Sequence, residues 1–497
     1  MLSTPAAEKQ PEDFVHVETS LDGVAAEKDA EYLANTPDWT PEEEKSALRK
    51  LDWCLMPILG GIYMASYIDR GNIGNAKAAG MNDELKITSD EYAWLITIYY
   101  IAYIAFHWTI LIWKVVNIPI WVACLCLGFG GASILQAACH NWSGLMATRF
   151  IIGVFEAGFA PGVALFLSFF YSRREMGFRY GVFIGFSALA NCFASALAYG
   201  IVQAPVAISG WRFLFIIEGL PTLILAAVAY FYIPRSAQDV PFLNERQTHI
   251  VSSRALINRG ELGNEGKINF TQSFDAFKDY KCYFQAFTLF LLHTSFASLP
   301  AFLPTIVKEM GFTSIQAQGL SAPPYFLAWI VCVSVSFISD RVGQRGLFIV
   351  FLVCVGGVGY LLLALFESTA IRYLGIYFIT CGVFPSIALN FTWMTDNQGP
   401  SSKRGAGLAI FGMIGQSGSF LGARIFPDHD GPFYVKGMAV CSASLFAGAL
   451  LTLTLSMILR WENRRRDKKT ESISNAIEIS DRVRAQGEDH PSWRFVV

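Results

Sequence analysis

Apolar residues in this chain gather into blocks of about twenty, the length a helix needs to cross a bilayer, and twelve such blocks follow one another. No water reaches a backbone N–H or C=O inside hydrocarbon, so a spanning segment must satisfy its own hydrogen bonds. Blocks of this length do so as helices. The composition agrees, with 53% hydrophobic and 16% charged residues, against roughly 25% charged in an average soluble domain. The expected fold class is an all-α polytopic membrane protein with twelve transmembrane helices.

The spans read as 52–72, 92–113, 118–139, 144–171, 178–202 and 212–233, then 282–305, 319–339, 346–366, 371–394, 405–425 and 434–459. A polar loop separates the two sets of six. The expected organisation is therefore a disordered tail (1–50), a first six-helix bundle (51–233), a central loop (234–281), a second six-helix bundle (282–459) and a second tail (460–497). The first tail is acidic and has no basic stretch leading into an apolar run, which argues against a cleavable signal peptide. Within it, "TPEEEKSALRKLDW" (40–53) reads as a capped helix entering the first span.

Orientation follows from basic residues, which collect in cytoplasmic loops. Arg173, Arg174 and Arg179, then Arg341 and Arg345, then Lys403 and Arg404 lie on one side, together with the central loop and "RWENRRRDKK". Both termini are expected in the cytoplasm. Two bundles joined by a cytoplasmic loop suit a secondary transporter whose halves rock about a central site. "GFGGAS" (128–133) follows no strand and sits in apolar sequence, so it reads as a helix contact rather than a nucleotide loop. The cysteines, mostly inside apolar blocks, suggest neither disulfides nor a metal site.

Charges inside the spans carry the functional signal, because an ionisable group in hydrocarbon is costly unless it faces a cavity or a partner. Asp69 and Arg70 lie in the first span, His107 in the second, Arg149 and Glu156 in the fourth, Glu218 in the sixth, His293 in the seventh and Arg424 late in the eleventh. Positions seven apart return to nearly the same helix face, about 10 Å along the axis. Arg149 and Glu156 therefore share a face without having to neutralise each other, and both can address one cavity. A lone buried charge more often pins one helix to another, and Glu218 is read that way. Two arginines and two acids in the first and fourth spans argue instead for a shared site.

These residues and their surroundings resemble the anion:cation symporter family of the major facilitator superfamily, in particular its fungal allantoate, nicotinate and sulfonate permease-like branch. The matching stretches are "YIDRGNIGNAKAAGM" (67–81), "RFIIGVFEAGFAPG" (149–162), "GWRFLFIIEGLP" (210–221), "FLPTIV" (302–307), "SDRVGQR" (339–345) and "DNQGPSSKRG" (396–405), in order over nearly the whole chain. The resemblance implies the major facilitator fold and proton-coupled movement of a small organic anion, carboxylate or sulfonate. Asp69, Arg70, Arg149 and Glu156 match the family's working residues, with Arg149 and Arg70 implied to bind the anion and Glu156, Asp69 and His107 to couple protons. The basic motif between the second and third helices is reduced to Lys114. Its second-half counterpart, Asp340, Arg341 and Arg345, is intact and implies gating.

Helical position and side-chain type add Tyr325, His293, Thr294, Asn390, Trp393 and Gln416 as expected pocket residues of the second half. The expected partners are a small organic anion and the lipid bilayer, with no nucleic acid, no metal and no cofactor beyond the coupling proton. A functional monomer in the plasma membrane is expected. Two other functions stay open: a proton-coupled exporter of a drug or metabolite, and a non-transporting nutrient sensor. The absence of Pro from 178–202 favours symport over export. No HExxH or GxSxG pattern lies in the spans, so an enzyme is not expected.

Overall fold

The computed structural model describes residues 38–78, 80–202, 208–259, 270–299, 303, 306–307, 310–312, 314–399, 401–422, 424–426, 430–431, 433–470 and 493–497. All regular structure among them is helical. The first six passes are α1 (Pro41–Ala78), α3 (Ser89–Ala105) with a 3₁₀ continuation (His107–Lys114), α4 (Ile118–Gln136), α5 with α6 (Trp142–Glu156 and Phe159–Leu167), α7 (Arg173–Val202) and α8 (Gly210–Tyr232). A short α2 (Met81–Leu85) lies between the first two. The last six are α11 (Tyr280–Phe296), α12 (Ser314–Val342), α13 (Gly346–Leu365), α14 (Thr369–Asp396), α15 (Ser401–Gly422) and α16 (Val435–Thr470). Between the sets lie α9 (Glu245–Arg259) and α10 (Phe270–Lys278).

Packing repeats from one half to the other. In the first half the first pass packs on the fifth and sixth, the third on the fourth and sixth, and the second on the fourth. Adding six to each number gives the main contacts of the second half. Between halves α7 packs on α12, and α3 with its 3₁₀ continuation packs on α15. Among the described residues nine passes are long and apolar enough to span by length and composition, and α7, α11 and α15 are the other three. Of these, α7 and α15 form the seam between halves and α11 packs on α15. α11 falls short in length, with 17 residues.

Four features differ from the sequence reading. The helix entering the first span is continuous with it, so α1 runs through residue 50; the Thr40 amide donates to Glu43 at 2.9 Å and its hydroxyl accepts from the Glu43 amide at 3.3 Å, a capping box. The second pass tightens to 3₁₀ geometry at His107, and the fourth breaks between Glu156 and Phe159. At the far end α16 continues to Thr470, past the expected edge at 459.

The ends of the described chain and the central segment gather on one face of the bundle. Arg246 on α9 pairs with Asp38 at 2.8 Å, and Arg254 bridges Glu44 at 2.6 Å and Glu175 at 2.8 Å. The Arg246 bond holds the Asp38 carboxyl below the usual carboxylate range. Residues 493–497 dock on the same face. The Trp393 indole and the Asn397 amide donate to the Val496 carbonyl at 2.8 and 2.9 Å, and the Arg345 amide donates to the Val497 carbonyl at 2.6 Å.

Candidate functional site

The charged residues of the first and fourth passes meet where α1, α3 and α5 come together. Arg70 Nη2 donates to Glu156 Oε2 at 3.0 Å, and the Tyr99 hydroxyl donates to the same oxygen at 2.6 Å. Three tyrosines surround the guanidinium: its central carbon lies 4.9 Å from the Tyr67 ring centre and 5.3 Å from those of Tyr99 and Tyr103. Aromatic faces attract a desolvated cation, so the ion pair and the cage together hold Arg70 in place. The Glu156 side chain is fully buried, whereas 16% of the Arg70 side chain stays accessible. Of the pair, the cation is the partner a ligand can reach.

Arg149 shares no hydrogen bond or ion pair with Glu156. Its Nη1 reaches the backbone carbonyls of Asp69 and Arg70, both at 3.5 Å, while Nε and Nη2 are buried without hydrogen-bond partners. Arg149 thus stands behind the Arg70–Glu156 pair, against the backbone of α1. Asp69 Oδ1 accepts from Ser133 at 2.7 Å, and its Oδ2 has no hydrogen-bond partner.

Gly153 makes this junction possible. A Cβ there would fall 2.4 Å from the Tyr99 carbonyl, so only glycine lets α5 approach α3 closely enough for Tyr99 to reach Glu156. His107 lies across the seam against α15. A Cβ on Gly412 would land on its ring, and neither ring nitrogen has a hydrogen-bond partner.

The second half brings some of its expected residues toward the centre. His293 is buried, with Nδ1 3.4 Å from the Ser419 hydroxyl, and it packs edge-on to Phe296, whose ring meets Tyr67 across the seam at 5.9 Å. Gln416 lies in the same cluster, accepting from Ser419 at 3.4 Å. Asn390 donates to the Gln285 carbonyl at 3.3 Å, and its oxygen is unpartnered. Tyr325 packs edge-on to Phe384, and its buried hydroxyl has no hydrogen-bond partner. Thr294 donates to its own helix, at the Phe290 carbonyl. Trp393 does not join them; its indole is committed to Val496 on the face where the chain ends gather.

On that face the two halves are closed. Lys114 donates to Ser402 at 3.0 Å and Arg404 to Ser168 at 2.9 Å, each bond crossing the seam. Asp340 accepts from the Phe178 amide at 2.5 Å, also across the seam, and Arg345 bridges Asp340 at 2.9 Å and Asp396 at 2.8 Å. Arg341 stays outside this network, exposed and stacked on Phe337 at 4.4 Å. Lys114 is what remains of the reduced motif, and it still ties the halves together. Sequence reasoning missed the tyrosine cage and Asp396. The cluster "IYYIAY" (98–103) and the acid opening "DNQGPSSKRG" were the available signals.

Comparison with known proteins matches this arrangement to a family. The model of the Major Facilitator Superfamily matches residues 59–423. A major facilitator-type transporter, hxnP, of Emericella nidulans is 30% identical over 91% of this chain and 93% of its own length. The high-affinity nicotinic acid transporter of Saccharomyces cerevisiae is 28% identical over 88% of this chain and 82% of its own. Among solved structures, the proton:xylose symporter XylE shares the fold at a TM-score of 0.66 and 12% identity, covering 84% of this chain and 96% of that one. With twelve helical passes in two repeating halves and relatives matched along nearly their full length, the chain is a multi-pass membrane transporter, not an enzyme, and belongs to the major facilitator superfamily.

Proposed function

We propose that the protein is a proton-coupled symporter of a small organic anion, carrying a carboxylate or sulfonate across the plasma membrane, with its chain ends in the cytoplasm. The observation that carries this reading is the Arg70–Glu156 pair, in which a partly accessible guanidinium is neutralised by a fully buried acid. An arriving anion competes with Glu156 for Arg70. A proton on Glu156 removes the competing charge and frees the planar fork of Arg70 for the anionic group. Anion and proton therefore load together, and the empty, deprotonated site keeps its own ion pair. The tyrosine cage offers apolar faces to the body of the substrate. A relative named a nicotinic acid transporter supports an aromatic carboxylate as the first candidate. His293, Gln416 and Tyr325 supply the neutral polar edge from the second half, and His107 follows Asp69 as a further proton site.

Counterflow and gradient-driven uptake of nicotinate and a panel of aliphatic carboxylates and sulfonates, in the same proteoliposomes, test the reading. Glu156→Gln should keep counterflow and lose accumulation driven by a pH gradient, because exchange needs no net proton movement. Arg70→Lys should lose both. Concentrative uptake left intact in Glu156→Gln would move the coupling role to another residue. Native protein that moves no anion in either assay would reject symport.

A further inference from the structure

Between α1, α4 and α8 lies a second buried polar cluster. Asp69 and Asn72 face it from α1, and Glu218 and Thr222 from α8. Asp69, Asn72 and Thr222 are 0% exposed and Glu218 is 5% exposed. Asp69 Oδ2, both carboxyl oxygens of Glu218, both amide atoms of Asn72 and the Thr222 hydroxyl have no hydrogen-bond partner. Glu218 neighbours Asn72 and feels the charge of Asp69. Glycine on α4 makes room for them: a Cβ on Gly130 would fall 2.6 Å from the Thr222 methyl, and Ser133, one turn along, holds Asp69.

The sequence reading made Glu218 a helix-pinning charge, but among the described residues no hydrogen bond or ion pair joins it to an opposite charge. The stretch Ile118–Gln136 of α4 holds no acid or base, nor does the 181–202 stretch of α7. On its own helix Arg212 is bound to Glu84 and to the Ala137 carbonyl. Arg149 faces the backbone of α1, and Arg70 is taken by Glu156. With Lys114 bonded to Ser402 and Arg179 to Asp52, the buried centre of the first half, among the described residues, holds three carboxyls, Asp69, Glu156 and Glu218, against two guanidiniums, Arg70 and Arg149. One positive charge is lacking. Two nearby carboxyls out of water do not both stay charged without one.

We propose that Asp69 and Glu218 together hold one exchangeable proton in this cluster, making Glu218 a further coupling acid on a helix the anion does not touch. On loading, a carboxylate oxygen of one acid becomes O–H; on release, in the conformation that opens the cluster to water, the proton leaves to solvent and both acids are charged. Asn72 and Thr222 supply donors and acceptors that solvate either form. The proposal extends the proton-coupled reading and rests on it for its role in transport, while the protonation itself can be tested without substrate.

The first arm is pH-difference infrared spectroscopy of the purified, substrate-free protein. The native protein should show a protonated-carboxyl carbonyl band that Glu218→Gln abolishes and Glu218→Asp retains. Asp69→Asn should move its titration to lower pH, because the like charge that discourages ionisation is gone. A band that survives Glu218→Gln, or a titration that Asp69→Asn leaves in place, would overturn the proposal. So would a titration displaced when potassium is replaced by sodium, which would make the cluster an alkali-cation site. The second arm is the reversal potential of anion transport in proteoliposomes, where Glu218→Gln should lower the proton-to-anion ratio by one. An unchanged ratio, in native-level transport, defeats the proposal and leaves the symport reading standing. No anion transport by the native protein defeats only the symport reading.

Discussion

At the residue scale, the site rests on positions where a side chain would be fatal as much as on those where one is required. Gly412 on α15 lies against the His107 ring, and a Cβ there would fall within bonding distance of Nε2. His107 is buried and walled by Tyr103 at 5.4 Å, so the ring cannot swing clear cheaply. Gly412→Ala should therefore cost about 1–3 kcal/mol in packing across the seam and lower transport severalfold. Gly74, with nothing within 4 Å of its would-be Cβ, is the matched control, and Gly74→Ala should leave transport near native. Uptake rates normalised to protein in the membrane decide it; equal rates for the two variants would remove His107 from the seam. This contact was invisible in the sequence, which showed a histidine and a glycine 305 residues apart. What the sequence did carry was the cost of a charge in an apolar span, and that cost, with their grouping in two spans, singled out Asp69, Arg70, Arg149 and Glu156. Which acid meets which base was not written there. Spacing put Arg149 and Glu156 on one face, yet the pair that forms joins Glu156 to Arg70, on another helix and 86 residues away.

At the element scale, runs of apolar residues marked the passes well, because lipid imposes one rule on every exposed helix. They could not mark where a pass breaks, since the break between Glu156 and Phe159 and the 3₁₀ turn at His107 are imposed by packing and not by composition. Residues 493–497 were read as part of a tail because their anchors, Trp393 and Asn397, are 99 or more residues away. The short helix α2 was also unforeseen, and it clasps the start of α8. Trp211 donates to Glu84 at 2.7 Å, and Arg212 pairs with the same carboxyl at 3.1 Å. Ser209 first, then Trp211 and Arg212, hold the Glu84 carboxyl below the usual range. A carboxyl depressed in the folded state stabilises above its unfolded titration range, and that contribution disappears as pH falls through the lower, folded one. Acidification should therefore loosen the clasp, with full strength kept at neutral pH. Thermal unfolding of the native protein should lose more stability between neutral and acid pH than Glu84→Gln does. Parallel pH curves for the two would show that the clasp contributes nothing.

At the scale of the whole molecule, the structure is closed on the face where the chain ends gather, and transport requires that this closure be reversible. The contacts that hold it include Lys114 with Ser402, Arg404 with Ser168, and Asp340 with the Phe178 amide. The first two join the second and fourth passes to the start of α15, and the third lies on the α7–α12 seam. A hydrogen bond from a charged group is worth on the order of 1.5–3 kcal/mol, and a few such bonds are enough to set a two-state population, since 1.4 kcal/mol is about a factor of ten. Neither the packing of α7 on α12 nor the tyrosine cage depends on Lys114 or Arg404, so removing both should shift the balance without unfolding either half. Cys332 reports on the seam directly. It is fully buried on α12, its thiol 3.3 Å from the Gly181 carbonyl of α7, and Gly181 and Ser336 pack one turn nearer the closed face. With Cys332 kept as the sole cysteine, Lys114→Ala combined with Arg404→Ala should raise its rate of thiol labelling at least tenfold. On the symport proposed above, the same pair of changes should weaken concentrative uptake more than counterflow, because a site that opens too readily would leak the coupling proton. An unchanged labelling rate would mean that Asp340, Arg345 and the α7–α12 seam hold this face shut on their own, and that Lys114 is a remnant of the gate and no longer part of it.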